Sequence, residues 1–506
     1  MKKLLKKIMI VLLAGFVLAA CSEDLLNTSP SNAIGSSELS KDPAALKALL
    51  KGTYKYMQQF GTGAYLTFTG QHDDCGIISF MITQDVLGLD VIAGNGGWYT
   101  FVYQHYPSQR YSNHRRATFW WNTSYGIIKN CNTIIASAEG NTTPEFLNIT
   151  AQAKTLRALA YYNLVRQYRK TYRLGAEGPG VPLVLAPPVG DPTLDSKPAG
   201  KLKDVFTQIE ADLNWAITNL AATRDHKGMI NKNVAQGVLA RVLLEKAYGT
   251  GESAKFDQVI TLAQAARTSY ALMSGDQYQL GFNTVDNAEW IWGHKQDKEG
   301  NISYPGFYSF YDINKSGRTG YQNFLADTVF VNLFSTSDKR KLFEWSNKGS
   351  TSIYKFIINK FKDKPDFTGD LPYMRAAEMY LIEAEALVNK GMYPEAQTLL
   401  DQLRAKRITG YTNEAALTDK NAMLERIWVE RRKELYGEGF ATSDIMRFGF
   451  FLGGTDKVKR GPYHLSHSNE MKDIPADNDK RYLRQIPDLE FESNKSMDPI
   501  ADQTER

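Results

Sequence analysis

Pro372 to Arg407 reads as two helices folded back on each other, and this pattern constrains the fold more than any other feature. Met374, Ala377, Leu381, Ala384 and Val388 step by three and four residues, which places them in one stripe along a helix. Gly391 interrupts that helix. Pro394 starts a second, with Ala396, Leu399, Leu400 and Leu403 on its inner side. A hairpin of about 36 residues cannot bury its apolar face alone, so it has to stack on neighbours of the same kind. Asn233 to Thr268 repeats the scheme around a break at Tyr248–Ser253.

Further helical patterns cover Asp42–Tyr56, which opens on an Asp-Pro start signal, Arg115–Ala138, Ala151–Arg169 and Leu202–Leu220. With Lys232–Tyr248 and Phe256–Thr268 they predict about four helix pairs that look like tetratricopeptide units, whose period is about 34 residues. The expected fold is all-α: a right-handed tetratricopeptide-like scaffold with long irregular insertions and minor strands. Other segments carry no sustained 3.6-residue period. Gly61–Pro107 and Trp290–Tyr321 mix glycines with aromatics, Pro179–Pro198 is proline-rich, and Gly449–Pro487 is polar and irregular. Loops this long are functional or disordered, and their aromatic content argues against disorder. Trp290 and Trp292, in a short alternating run, read as residues of a core strand.

The amino terminus carries Lys2, Lys3, Lys6 and Lys7, followed by 13 apolar residues from Ile8 to Ala20. That length fits the core of a signal peptide and, at about 20 Å as a helix, falls short of a bilayer core of about 30 Å. The run ends Leu18-Ala19-Ala20-Cys21, which resembles the lipobox of bacterial lipoproteins. Residues 1–20 are expected to be removed, Cys21 to carry the acyl chains, and residues 21–41 to form a tether to a domain spanning 42–506. More than one acyl chain is needed for stable anchoring. Removing residues 1–20 deletes four lysines and no acid from a formal charge of +5, so the mature chain is near neutral. That argues against nucleic acid and against an electrostatic membrane patch. Cys75 and Cys131 are expected to be free buried thiols. The 27 tyrosines suit either mixed polar and apolar ligands or helix packing.

Five segments in order resemble one family. They are AKTLRALAYYNLVRQY from Ala153, GVPLVLAPP from Gly180, NKNVAQGVLARVLLEKA from Asn231, YMRAAEMYLIEAEALVNKG from Tyr373 and ERRKELYGEGFATSDIMRFG from Glu430. Each is similar to a motif of the SusD/RagB group, the surface lipoproteins of Bacteroidetes nutrient-uptake systems. The chain departs from the pattern around Phe440-Ala441-Thr442 and at Gln485-Ile486-Pro487. The resemblance implies four tetratricopeptide-like pairs with a loop-rich face. It also implies a role: capture of a nutrient, usually an oligosaccharide, and transfer to a SusC-like TonB-dependent outer-membrane transporter on which the lipoprotein sits as a lid. Peptides or glycopeptides are the alternative ligands. An assembly scaffold and a surface glycanase are the competing classes.

No residue set points to catalysis or to a cofactor other than the lipid on Cys21. Glu383 and Glu385 are two apart on a helix and diverge by about 200°, so they cannot flank one bond. Glu430 and Glu434 share a face but alternate with Arg431, Arg432 and Lys433, which suggests a salt-bridged helix. His464 with His467, and His72 before Asp73 and Asp74, match no zinc spacing. Gly94-Asn95-Gly96-Gly97 lacks the lysine of a phosphate loop. Sugar binding needs flat aromatic faces and planar polar groups. Asp73, Asp74, Asn95, Trp98 and Tyr99 supply both in one expected ligand loop, about 61–107; Tyr304, Tyr308 and Tyr311 supply more rings in the other, about 290–321.

Overall fold

The computed structural model describes residues 42–58, 72–93, 98–99, 102, 107–187, 196–298, 306–312, 324–345, 356–448 and 480–504. The signal segment, Cys21, the tether, Asn95, Tyr304, His464 and His467 lie outside the described residues.

Helices dominate. In chain order they are α1 (Pro43–Tyr56), α2 (Ile77–Val86), α3 (Arg115–Ser137), α4 (Pro144–Tyr168), α5 (Leu202–Asn219), α6 (Lys232–Thr250), α7 (Ser253–Arg267), α8 (Ala376–Asn389), α9 (Tyr393–Arg407), α10 (Lys420–Leu435) and α11 (Ala441–Phe448), with shorter turns between them. Their ends follow local chemistry. Asp42 caps α1 by accepting from the Ala44 amide at 2.8 Å, ahead of Pro43. Asn231 caps α6 in the same way, at 3.2 Å from the Val234 amide.

Each scaffold helix packs on the next, from α3 through α7. The chain then leaves the stack over residues 268–370 and returns at α8, which packs on α7, α9 and α10. The excursion supplies β3 (Phe324–Ala326), β4 (Phe343–Trp345) and β5 (Phe356–Ile358) to an antiparallel sheet whose edge strand β1 (Val91–Ala93) comes from earlier in the chain, in the spatial order β1, β3, β5, β4. A second pair, β2 (Trp290–His294) on β6 (Leu371–Arg375), joins the excursion to α8. Trp290 and Trp292 are fully buried in β2, the core strand expected of them.

Two hydrophobic cores result. One fills the space among α1 and α3–α7; the other lies among α2, the sheet and α8–α11. Helix α8 separates them. Ala377, Leu381, Ala384 and Val388 face the second core, while Met379, Ile382 and Ala386 face the first. The stripe expected on this helix is one of two, and Met374 belongs to β6, not to the helix. The second core is rich in rings: Tyr311 stacks on Phe307 at 4.6 Å and meets Phe324 and Phe361 at 5.0 Å each. Cys75 and Cys131 are free and buried.

A buried ionic network fastens the excursion to the scaffold. Arg375 on β6 reaches Glu289 at 2.5 Å, Glu434 at 2.9 Å and Glu438 at 2.7 Å. Arg407 on α9 bridges Glu289 and Glu434 at 2.8 and 2.9 Å. Arg340 joins Asp338, Glu430 and Glu434 at 2.9, 2.6 and 3.0 Å. Burial pushes the Glu434 carboxyl up, but Arg407, Arg375 and Arg340 outweigh it and hold the group well below the usual carboxylate range.

Candidate functional site

The turn before α2, the segment after β1 and the start of α3 meet around Trp98. Gly76 makes the meeting sterically feasible. Its φ is +59°, and a Cβ there would lie 2.3 Å from the Met57 carbonyl oxygen, so the turn can press against the end of α1. The Ile77 amide donates to that same carbonyl at 2.9 Å.

Asp73 is fully buried between two arginines. Arg115 donates Nη2 to both carboxylate oxygens at 2.7 Å, and Arg116 donates Nε to Oδ2 at 2.5 Å. Arg116 also donates to the Trp98 carbonyl oxygen. The Arg115 guanidinium lies 5.5 Å over the Trp98 indole, and the His72 ring centre is 5.4 Å from it. One buried carboxylate thus sets two arginines, and the arginines set one half-buried indole.

Burial shapes the titration here. It pushes Asp74 up to about 7, helped by the Asp73 charge and opposed by Arg115; Asp74 Oδ1 is enclosed with no hydrogen-bond partner among the described residues. It pushes His72 down, against the pull of Asp73. Burial, then Arg116 and Arg115, push His114 down to about 4. The neutral His114 ring accepts the Arg116 amide through Nδ1 at 3.2 Å and so caps α3.

The sequence grouped Asp73, Asp74, Trp98 and Tyr99 correctly in space but not in orientation. Trp98 alone of these keeps open surface. Tyr99 is buried, its hydroxyl donating to Ser79 Oγ at 3.3 Å and its ring edge-on to Phe310 at 5.0 Å. Asp73 and Asp74 are enclosed and offer nothing to a ligand in this structure. The expectation of a ligand-facing Tyr308 and Tyr311 is corrected as well. Both are buried in the second core, and the Tyr308 hydroxyl lies 2.6 and 2.7 Å from the Phe282 and Asp370 carbonyl oxygens.

Sequence reasoning missed Arg115 and Arg116. A signal was available. Two arginines in the first turn of a helix oppose its dipole, so they require an acidic partner from elsewhere, here Asp73.

The paired carboxylates are held by side chains from other elements of the fold. Glu383 accepts from Arg267 and Gln264, both at 2.7 Å at closest; Glu385 accepts from Tyr248 at 2.7 Å and forms an ion pair with Arg447. Glu430 and Glu434 take the interior arginines 340, 404, 375 and 407, not their chain neighbours. These groups are fastened into the fold. Among the described residues no cluster of His, Cys, Asp and Glu could hold a metal ion, and no helix is long and apolar enough to cross a membrane. What the site offers is a half-buried indole held by Arg115 over its ring and by Arg116 at its carbonyl, an aromatic surface suited to stacking on the apolar face of a ring.

Comparison with known proteins agrees with this architecture. A family model described as the SusD family matches residues 288–501, and one described as "Starch-binding associating with outer membrane" matches residues 55–244. A SusD-like protein of Bacteroides ovatus is 30% identical over 127 residues, which span 25% of this chain and 22% of that protein. The crystal structure of a SusD-like carbohydrate binding protein from Bacteroides vulgatus superposes with a TM-score of 0.78 at 26% identity, covering 92% of this chain and 98% of the other. A SusD superfamily protein from Bacteroides thetaiotaomicron gives 0.73 at 23% identity, covering 92% and 100%. A laminarin-binding SusD-like protein gives 0.64 at 20% identity, covering 91% and 98%.

Proposed function

We infer, since this chain belongs to the SusD/RagB family, that it captures oligosaccharides at the outer membrane without turning them over. The observation that carries the reading is the likeness, along 92% of the chain, to a protein described as carbohydrate-binding. The half-buried Trp98 indole is the platform we assign to the ligand. Its support by Arg115 and Arg116 fixes the ring before ligand arrives, which lowers the ordering cost of binding.

The finer reading has three parts. Cys21 is lipidated and anchors the mature chain. The protein faces the cell exterior. It passes its ligand to a SusC-like TonB-dependent transporter. A screen of the purified full chain against a panel of oligosaccharides tests the core of this proposal. Retarded migration of the protein in gels containing a neutral glycan, with that glycan recovered intact, is the expected result. Shortened oligosaccharide products would replace it with an enzymatic reading. Binding of peptides alone would favour the peptide alternative.

A further inference from the structure

A cleft that shares no lining residue with the Trp98 site is lined by Arg166, Arg169, Lys170, Arg173 and Arg447, with Glu245 as its acid. It opens between the carboxyl end of α4, α6 and α11. Glu245 accepts from the Tyr162 hydroxyl at 2.9 Å and from the Tyr172 amide at 3.3 Å. Arg447 is tied to Asp444 at 2.7 Å and to Glu385.

Arg166 is different. Its guanidinium sits over the rings of Phe80 and Tyr162, at 5.3 and 5.2 Å, and donates Nε to the Ser443 hydroxyl at 3.1 Å, with Nη2 on the same oxygen. Ser443 lies 3.2 Å from Gln84 Oε1 and donates its own proton there, so it serves Arg166 only as an acceptor. Among the described residues no carboxylate stands within ion-pair distance of Arg166. Arg169, buried in the same wall, donates Nε to the Gly180 carbonyl, and its Nη2 has no hydrogen-bond partner among the described residues. The dipole of α4 favours a cation in its last turn, which accounts for a positive charge at Arg166 but provides no partner for the fork. A planar guanidinium held by two rings and a hydroxyl is set to take a carboxylate or a sulfate in bidentate fashion.

We propose that this cleft binds an anionic substituent of the captured glycan, a uronic-acid carboxylate or a sulfate ester, through Arg166. The proposal rests on the glycan-binding reading for the source of the anion, and its chemistry rests on the cleft alone. The test is calorimetric titration of the full chain with an oligogalacturonate, a sulfated oligosaccharide, a neutral oligosaccharide of equal length, and inorganic sulfate. One of the two acidic glycans should bind at least about tenfold more tightly than the neutral one, and the margin should shrink between about 50 and about 500 mM salt. Arg166→Gln should remove the margin and leave neutral binding unchanged. Arg166→Lys, which keeps the charge but not the fork, should retain part of it. Thermal unfolding of both variants checks that the fold is kept.

An acidic glycan bound equally by wild type and Arg166→Gln would overturn the proposal. So would inorganic sulfate bound as tightly as the acidic glycans, since the glycan would then contribute nothing. Neutral glycans bound and acidic ones refused would overturn this inference alone. Refusal of every glycan would overturn the proposed function with it.

Discussion

The Trp98 indole keeps open surface because its other attachments are already committed. Arg116 holds its carbonyl, and Arg115 lies over its ring at 5.5 Å. The sequence identified the neighbourhood, with Asp73, Asp74 and Tyr99 beside Trp98, because loop residues close in sequence stay close in space. It could not show which way they turn. That depends on Arg115 and Arg116, 42 and 43 residues further along than Asp73, and on Ser79 for Tyr99. Asp74 gives a prediction at this scale. Its carboxyl is raised from 3.8 to about 7 by burial and by Asp73, so the folded protein keeps a proton that the unfolded chain releases above about pH 4. This contribution to stability is complete below pH 3.8 and is lost as pH rises through about 7. Asp74→Asn should therefore match wild type near pH 4 and be more stable near pH 8, by up to about 4 kcal/mol. Denaturant unfolding at the two pH values measures this; an equal difference at both would show that Asp74 does not titrate as its burial requires.

Helix α8 shows what a helical pattern reveals and what it conceals. The stripe Ala377, Leu381, Ala384, Val388 was legible because it repeats every three or four residues. The second stripe, Met379, Ile382, Ala386, fills in the other face, and a helix apolar on both faces carries no single period. Helix α2 was invisible for the same reason. Nine of its ten residues, Ile78 to Val86, are buried, so IISFMITQDV shows no polar side and was read as loop. Charged motifs were legible as motifs but not as contacts. Glu430 and Glu434 read as one face of a salt-bridged helix, yet they and Glu438 are buried against arginines or a lysine from other elements. Gly439 in that motif has φ +85°, and a Cβ there would lie 2.8 Å from Met81 Cα, so the Glu-Gly pair seats α2. Glu434→Gln would leave Arg375 and Arg407 undercompensated in the interior. A loss of about 3–5 kcal/mol in denaturant unfolding is expected. Because its carboxyl is held low by those arginines, the stability it supplies is present above about pH 4.5 and declines as pH falls. A loss below about 1 kcal/mol would mean that the network can be relaxed without it.

Across the whole molecule, the helical-repeat scaffold and the family were readable because five separated motifs occur in order, each now placed on the helices and loops of the stack. Apart from the strand at Trp290 and Trp292, the excursion over residues 268–370 was not readable as structure, since its other strands and its four- and five-residue helices are too brief to show periodicity. Two predictions belong to this scale. Cys21→Ser should release the protein from the membrane fraction and abolish palmitate labelling; retention in salt-washed membranes would contradict lipid anchoring. Native protein extracted in mild detergent should co-purify with a large outer-membrane barrel, and a lone monomer in that extract would count against the transporter partnership. The central claim is that a fixed indole on this scaffold binds glycan without turnover. Its most direct test is calorimetric titration of wild type and Trp98→Ala with an oligosaccharide that the wild type retains in gels, alongside thermal unfolding of both. The account predicts binding weakened by more than about 1 kcal/mol, with stability reduced by less than the about 3–5 kcal/mol of a fully buried aromatic. Full-strength binding by a destabilised Trp98→Ala would contradict it and return Trp98 to the core.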